Sequence, residues 1–185
     1  MLILLLLAAT AITTPPPAAP SRAETGATTV VLVRHAERAE GGGNDPSLSD
    51  AGRVRAEALA SAVAGLKLDA IVVSDTKRTS ETAAPAAKAR GLTPRIAPTA
   101  GGAATHVKAV VDAIRAAPSG GAVLVVGHSN TLPLIVTALG GPEIPALCDG
   151  EFAPMLVLEL PPGSSPRLLR ASYGAPDTPG ASSCH

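Results

Sequence analysis

Apolar positions along the chain fall into two kinds of run. Residues 28–33 are β-branched or apolar throughout, the pattern of a strand buried on both faces of a parallel sheet. Residues 70–73 and 122–126 have the same character, and 155–160 and 167–172 predict later strands toward a sheet edge. Helical periods lie between them. Val107, Val110, Val111 and Ile114 stand at i, i+3, i+4 and i+7. Leu132, Ile135, Val136 and Leu139 repeat that spacing, and Gly140-Gly141-Pro142 ends their helix. Ser49 is placed to cap a helix over 50–64, with Asp50 at its positive end. Residues 79–90 predict a further helix carrying Pro85 as an internal defect. Strands alternating with helices predict an α/β fold, a three-layer α/β/α sandwich around a mostly parallel central sheet.

The two ends differ from this body. Residues 2–12 are apolar except for Thr10. A membrane-spanning helix needs about 20 such residues, so the run has the size of a signal-peptide core. A proline-rich stretch over 13–20 follows, stiff and extended. Small-x-small cleavage patterns occur at Ala9-x-Ala11 and Ser21-x-Ala23, although no basic residue precedes the apolar run. We therefore expect a signal peptide and spacer over 1–25, one catalytic domain over 26–175, and a flexible tail over 176–185. The mature protein is expected in the periplasm or outside the cell, without stable membrane insertion. Cys148 and Cys184 permit one disulfide that would pin the tail, or are two unrelated thiols; neither has the spacing of a zinc ligand.

Composition narrows the function. Of 185 residues, 46% are apolar and 16% charged, which excludes bulk disorder. Fifteen basic residues balance fifteen acidic ones, so the electrostatic footprint of a nucleic-acid binder is missing. Phe152 and Tyr173 are the only aromatics, too few for a base-stacking platform.

Ligands of such sheets bind beyond the carboxyl ends of the strands. The first strand ends in Arg34-His35, the second in Ser74-Asp75 with Lys77-Arg78 close behind, and the third long one in Gly127-His128-Ser129. Two guanidiniums and two imidazoles at neighbouring strand ends suit a phosphoryl group. Arginine's planar fork matches phosphate oxygens. Neutral imidazole is a nucleophile near pH 7, and nearby arginines disfavour its protonation. Ser129 and Asn130 can add hydrogen bonds at the same place, or cap the following helix.

Four segments in order resemble the histidine phosphatase superfamily, the phosphoglycerate mutase-like proteins. They are Val33-Arg34-His35-Ala36-Glu37; Leu48-Ser49-Asp50-Ala51-Gly52-Arg53; Ser74 to Ala83 around Arg78; and Val126-Gly127-His128-Ser129-Asn130-Thr131. The resemblance spans about residues 28–172 and implies the phosphoglycerate mutase-like fold. It also implies a phosphomonoesterase acting on a small phosphorylated substrate. His35 would attack phosphorus and become phosphohistidine. Arg34, Arg78 and His128 would hold the phosphoryl oxygens, and water would release phosphate, with no metal or other cofactor.

The proton donor departs from the family's better-known patterns. Ser129 follows the second histidine, and residues 91–106 contain no carboxylate. Asp45, in the glycine-rich loop after the first strand, is the favoured acid, with Glu37 the alternative to its expected place as a solvated charge. Asp75, Lys77 and Glu81 read as exposed charges, His106 as a surface or capping residue at a helix start, and His185 as a chain-end residue. Three other functions compete. A binding module on the same fold would hold phosphate without turnover. A mutase would need a more charged pocket. A serine α/β-hydrolase would use Ser129, but Thr131 stands where its nucleophile elbow needs glycine, and only His185 follows to complete a triad.

Overall fold

The structure, a computed structural model, describes residues 26–41 and 43–178. The leader and spacer, Cys184 and His185 lie outside the described residues. The elements run β1 (Thr28–Arg34), α1 (Asp50–Ala62), β2 (Leu68–Ser74), α2 (Lys77–Arg90), β3 (Arg95–Ala97), α3 (Gly102–Arg115), β4 (Ala122–Gly127), α4 (Leu132–Ala138), β5 (Pro154–Leu160) and β6 (Arg167–Ser172). The strands form one six-stranded sheet in the order β3-β2-β4-β1-β5-β6. The first four of that order are parallel, and β5 and β6 close one side antiparallel.

The continuous apolar runs of β1, β2 and β4 are explained by what covers them. Val30, Leu32, Val72, Val123 and Val125 pack under Val107, Val110, Val111 and Ile114 of α3 and Leu132, Ile135 and Val136 of α4. The alternate residues Val31, Val33, Ile71, Val73, Leu124 and Val126 pack under Leu59 of α1 and Ala83, Ala86 and Ala87 of α2. Successive side chains of a strand leave on opposite faces, so a strand covered on both faces must be apolar at every position. The expected three-layer sandwich is what forms.

Three local expectations need correction. β3 is additional to the expected strands. It is a three-residue edge strand whose Arg95 and Ile96 are exposed, too short for a buried run. α2 starts at Lys77 and runs through Pro85 to Gly91, whose left-handed backbone ends it. The first residues of the expected flexible tail are docked. Asp177 accepts the backbone N–H groups of Phe152 and Ala153, both at 2.9 Å, and the Ala175 carbonyl accepts from Arg55. Polar anchoring to buried Arg55 overrides the loop-like composition there. Among the described residues, no helix is long and apolar enough to cross a membrane.

Candidate active site

β4 is the centre of the parallel strands, with β1 and β2 on its two sides. Arg34 is in register with Gly127, and Val73 with Val126. The exits of all three strands therefore open at one edge of the sheet. There a cavity of about 410 Å³ is lined by Arg34, His35, Arg78, His128, Ser129 and Asn130, together with Arg38, Thr99, His106 and Asp149. The structure thus brings together every expected site residue except Asp45, which does not line the cavity and meets it only through Arg78. A larger groove of about 630 Å³ between α1 and α2 is walled by Leu48, Val54, Ala84 and Pro85 and contains neither histidine.

The His35 exit is held from four sides. The His35 N–H donates to the Gly127 carbonyl and the Ala36 N–H to Thr82 Oγ1, both at 2.9 Å. The Glu37 carbonyl accepts from the N–H and hydroxyl of Ser49, while Ser49 Oγ caps α1 by accepting from the Gly52 N–H. Gly52 is required at this contact, since a Cβ there would stand 2.1 Å from the Glu37 oxygen. The segment Leu48 to Arg53 is therefore a clamp that seats the start of α1 on the loop after His35.

His35 itself is 4% exposed. Its Nδ1 lies 2.8 Å from the Ala36 carbonyl oxygen. A carbonyl only accepts, so Nδ1 carries the proton and Nε2 keeps a free lone pair. Burial, reinforced by the charge of Arg34, lowers its pKa to about 3, so the ring is neutral at pH 7. His128 stands with its ring centroid 5.5 Å from that of His35. Its Nε2 is 2.9 Å from Ser74 Oγ, which also bonds Thr76 and Thr79. Burial, then Arg78, lowers the His128 pKa to about 4.

The two arginines are oriented by backbone and helix rather than by opposing buried charge. Arg34 Nη1 donates to the carbonyls of Cys148, Asp149 and Glu151 at 2.9, 2.6 and 3.1 Å. The Phe152 ring lies 4.2 Å from its guanidinium carbon. The Tyr173 ring lies 5.9 Å from the guanidinium carbon of Arg55, so each of the two aromatics packs against a cation within the protein. Nε of Arg34 and Nε of Arg78 are buried and find no partner among the described residues.

Several expected roles change. Asp45 accepts the Lys77 N–H at 3.0 Å and lies 3.6 Å from Arg78 Nη1. A carboxylate that accepts from a helix N-terminus and faces an arginine suits an anchor for Arg78 better than a proton donor. Glu37 is no solvated charge. It makes a two-oxygen pair with buried Arg55 at 2.7–3.0 Å, directed away from the cavity. Glu81 is half-buried and accepts the Leu48 N–H, whereas Asp75 is exposed as expected while accepting both the N–H and the hydroxyl of Thr99. His106 is neither surface nor cap. It lies one turn inside α3, is 2% exposed and forms part of the cavity wall. Its burial comes from the β2 and β4 exits packed against α3, contacts that no local pattern reports. Asp149, with its side chain 95% exposed and 3.7 Å from Arg34, carries no sequence signal at all. Cys148 is not a free thiol, and the partner expected for it, Cys184, lies outside the described residues.

Known proteins place this geometry. The sequence model of the histidine phosphatase superfamily (branch 1) matches residues 30–101, the stretch that holds Arg34, His35 and Arg78. No curated protein matches the chain by sequence. Among solved structures, a mycobacterial glucosyl-3-phosphoglycerate phosphatase is 21% identical with a TM-score of 0.61, over 81% of this chain and 100% of its own. A protein described as mycobacterial hydrolase 2 is 22% identical with a TM-score of 0.61, over 81% of this chain and 93% of its own. A Nakamurella multipartitia protein proposed to be the phosphohistidine phosphatase SixA is 23% identical with a TM-score of 0.56, over 81% of this chain and 98% of its own. The superfamily's sequence model covers three of the four motifs, those around His35, Ser49 and Arg78, and the phosphoglycerate mutase-like fold they imply is found.

Proposed function

We propose that this chain, with the superfamily's sequence over β1 to β3 and its fold throughout, is a phosphatase that hydrolyses a small phosphomonoester through a phosphohistidine on His35. The observation that carries this reading is the Nδ1–H of His35 fixed on the Ala36 carbonyl. It leaves a bare Nε2 lone pair inside a cavity walled by Arg34, Arg78 and His128. The nucleophile needs no base to activate it, because the ring is already neutral. The guanidiniums of Arg34 and Arg78 and the His128 ring face the region where the charge of an in-line transfer develops, which is where positioning and electrostatics lower its barrier. Water then attacks the phosphohistidine and frees phosphate. The positive charges that phosphate chemistry needs are supplied by the chain, so activity is expected to survive chelators. The glucosyl-3-phosphoglycerate phosphatase and the SixA-like protein on the same fold support phosphate transfer as the class of reaction. The apolar run before the domain supports an exported site of action.

The test is release of nitrophenol from p-nitrophenyl phosphate in EDTA, with protein quenched in alkaline detergent and assayed for an acid-labile, alkali-stable phosphoryl group. We expect turnover in wild type and a labelled intermediate that His35→Ala lacks. Tight phosphate binding with no turnover would instead identify a binding module. Strict dependence on an added divalent ion would replace the mechanism.

A further inference from the structure

We propose that His106 is the proton donor to the leaving group, an inference that rests on the phosphatase reading above. Among the described residues Asp149 is the one carboxylate that lines the cavity, on the solvent side of Arg34; nearby, Asp45 is held by α2 and Arg78, and Asp75 by Thr99. His106 is differently placed. Gly102, Ala103 and His106 all line the cavity, and they share one side of the first turn of α3. The His106 ring centroid is 6.3 Å from that of His128. Its Nδ1 is 3.2 Å from the Pro98 carbonyl, which only accepts, so Nδ1 keeps its hydrogen and the ring is fixed. Nε2 is then the atom that gains or loses a proton. It is buried and has no hydrogen-bond partner among the described residues. A buried acceptor left unpaired is costly, so a proton or a ligand donor at Nε2 is favoured.

A phosphate dianion entering the cavity supplies the negative charge that holds this proton. Asp75 from the β2 exit and His128 from β4 are the charged or titratable groups that act on the ring, and His35, Arg34, Arg38 and Arg78 line the same cavity. The step balances as follows. His35 Nε2 forms a bond to phosphorus as the bond to the leaving oxygen breaks. That oxygen takes the electron pair and the Nε2 proton of His106, giving the alcohol and neutral His106. Water then attacks phosphorus, the P–N bond breaks, and the proton lost by water returns to His106.

The experiment is a leaving-group series of p-nitrophenyl, phenyl and p-methoxyphenyl phosphate, similar in size and graded in phenol acidity. For wild type, log kcat/KM is expected to change little along the series. For His106→Gln the loss is expected to grow along it, reaching about 100-fold or more at p-methoxyphenyl phosphate. A second variant, His106→Asn, is expected to show the same growth of the loss along the series. A uniform loss across the series in His106→Gln and His106→Asn overturns the assignment. If His35→Ala retains turnover, the phosphatase reading itself fails, whatever the slopes show.

Discussion

The exits of β1 and β4 each deliver a histidine to the cavity, and they anchor it in different ways. His35 is fixed by a backbone carbonyl at Nδ1, whereas His128 is fixed by the Ser74 hydroxyl at Nε2. A carbonyl only accepts, so it dictates one tautomer and leaves Nε2 of His35 bare. A hydroxyl donates or accepts, so His128 keeps both tautomers within reach. The backbone anchor suits a group that must attack the same way every cycle. The side-chain anchor suits a group that alternates between donating to a phosphoryl oxygen and standing neutral. The His35 tautomer is thus set by the main chain, while that of His128 depends on a single hydroxyl.

Removing each ring tests that division most severely. His35→Ala is expected to lower kcat/KM by on the order of 10⁴-fold or more and to abolish the phosphorylated intermediate. His128→Ala keeps the nucleophile and loses one donor to the developing charge, so a drop on the order of 10²–10³-fold is expected. His128→Ala quenched in alkaline detergent should still carry label, formed slowly. Equal losses in the two variants, with neither labelled, would erase the distinction between the exits.

The same contrast explains what could be read from the sequence. β1, β2 and β4 are legible because helices on both faces make every position apolar, while β3 is three residues at an edge and leaves no such trace. Arg34, His35, Arg78 and His128 are legible because each sits next to a strand exit or helix start that the local sequence announces. His106 is hidden because a lone polar residue near a helix start reads as a cap. Its burial is decided by β2 and β4, which lie far from it in the chain. Asp45 and Glu37 suggest proton donors by nearness to His35 along the chain. Their partners, the Lys77 N–H and Arg55, are chosen by tertiary packing across 32 and 18 residues. The docking of Asp177 on Phe152 and Ala153 is equally non-local.

The Ser74 anchor gives a smaller and more selective effect. Ser74→Ala is expected to lower kcat/KM about tenfold, the size of one hydrogen bond that orients a functional group. The serine contributes to catalysis only through His128, so the loss should largely vanish when Ser74→Ala is made in the His128→Ala background. Full additivity of the two substitutions would mean that Ser74 acts through the Thr76 and Thr79 hydroxyls that seat α2, and that His128 needs no anchor.

The smallest effect is on stability, and it sharpens the comparison by pH. Unfolded histidine takes up a proton near pH 6.5. The folded chain holds His128 neutral down to about pH 4 and His35 down to about pH 3. Below pH 6.5 the unfolded chain therefore binds more protons than the folded one, and stability falls as pH falls. Above pH 6.5 both states are neutral at these rings and the effect is absent. Urea unfolding of wild type, His35→Gln and His128→Gln at pH 7.5, 5.5 and 4.5 separates the two contributions. Each variant is expected to lose less stability than wild type between pH 7.5 and 4.5, because one neutral buried ring has been removed. Only the His35 contribution continues to grow below pH 4, since burial beside Arg34 holds its ring neutral to a lower pH than that of His128. Identical slopes in all three proteins would mean that the two rings take up protons as freely in the cavity as in water, and the lone pair assigned to His35 Nε2 would lose its physical basis.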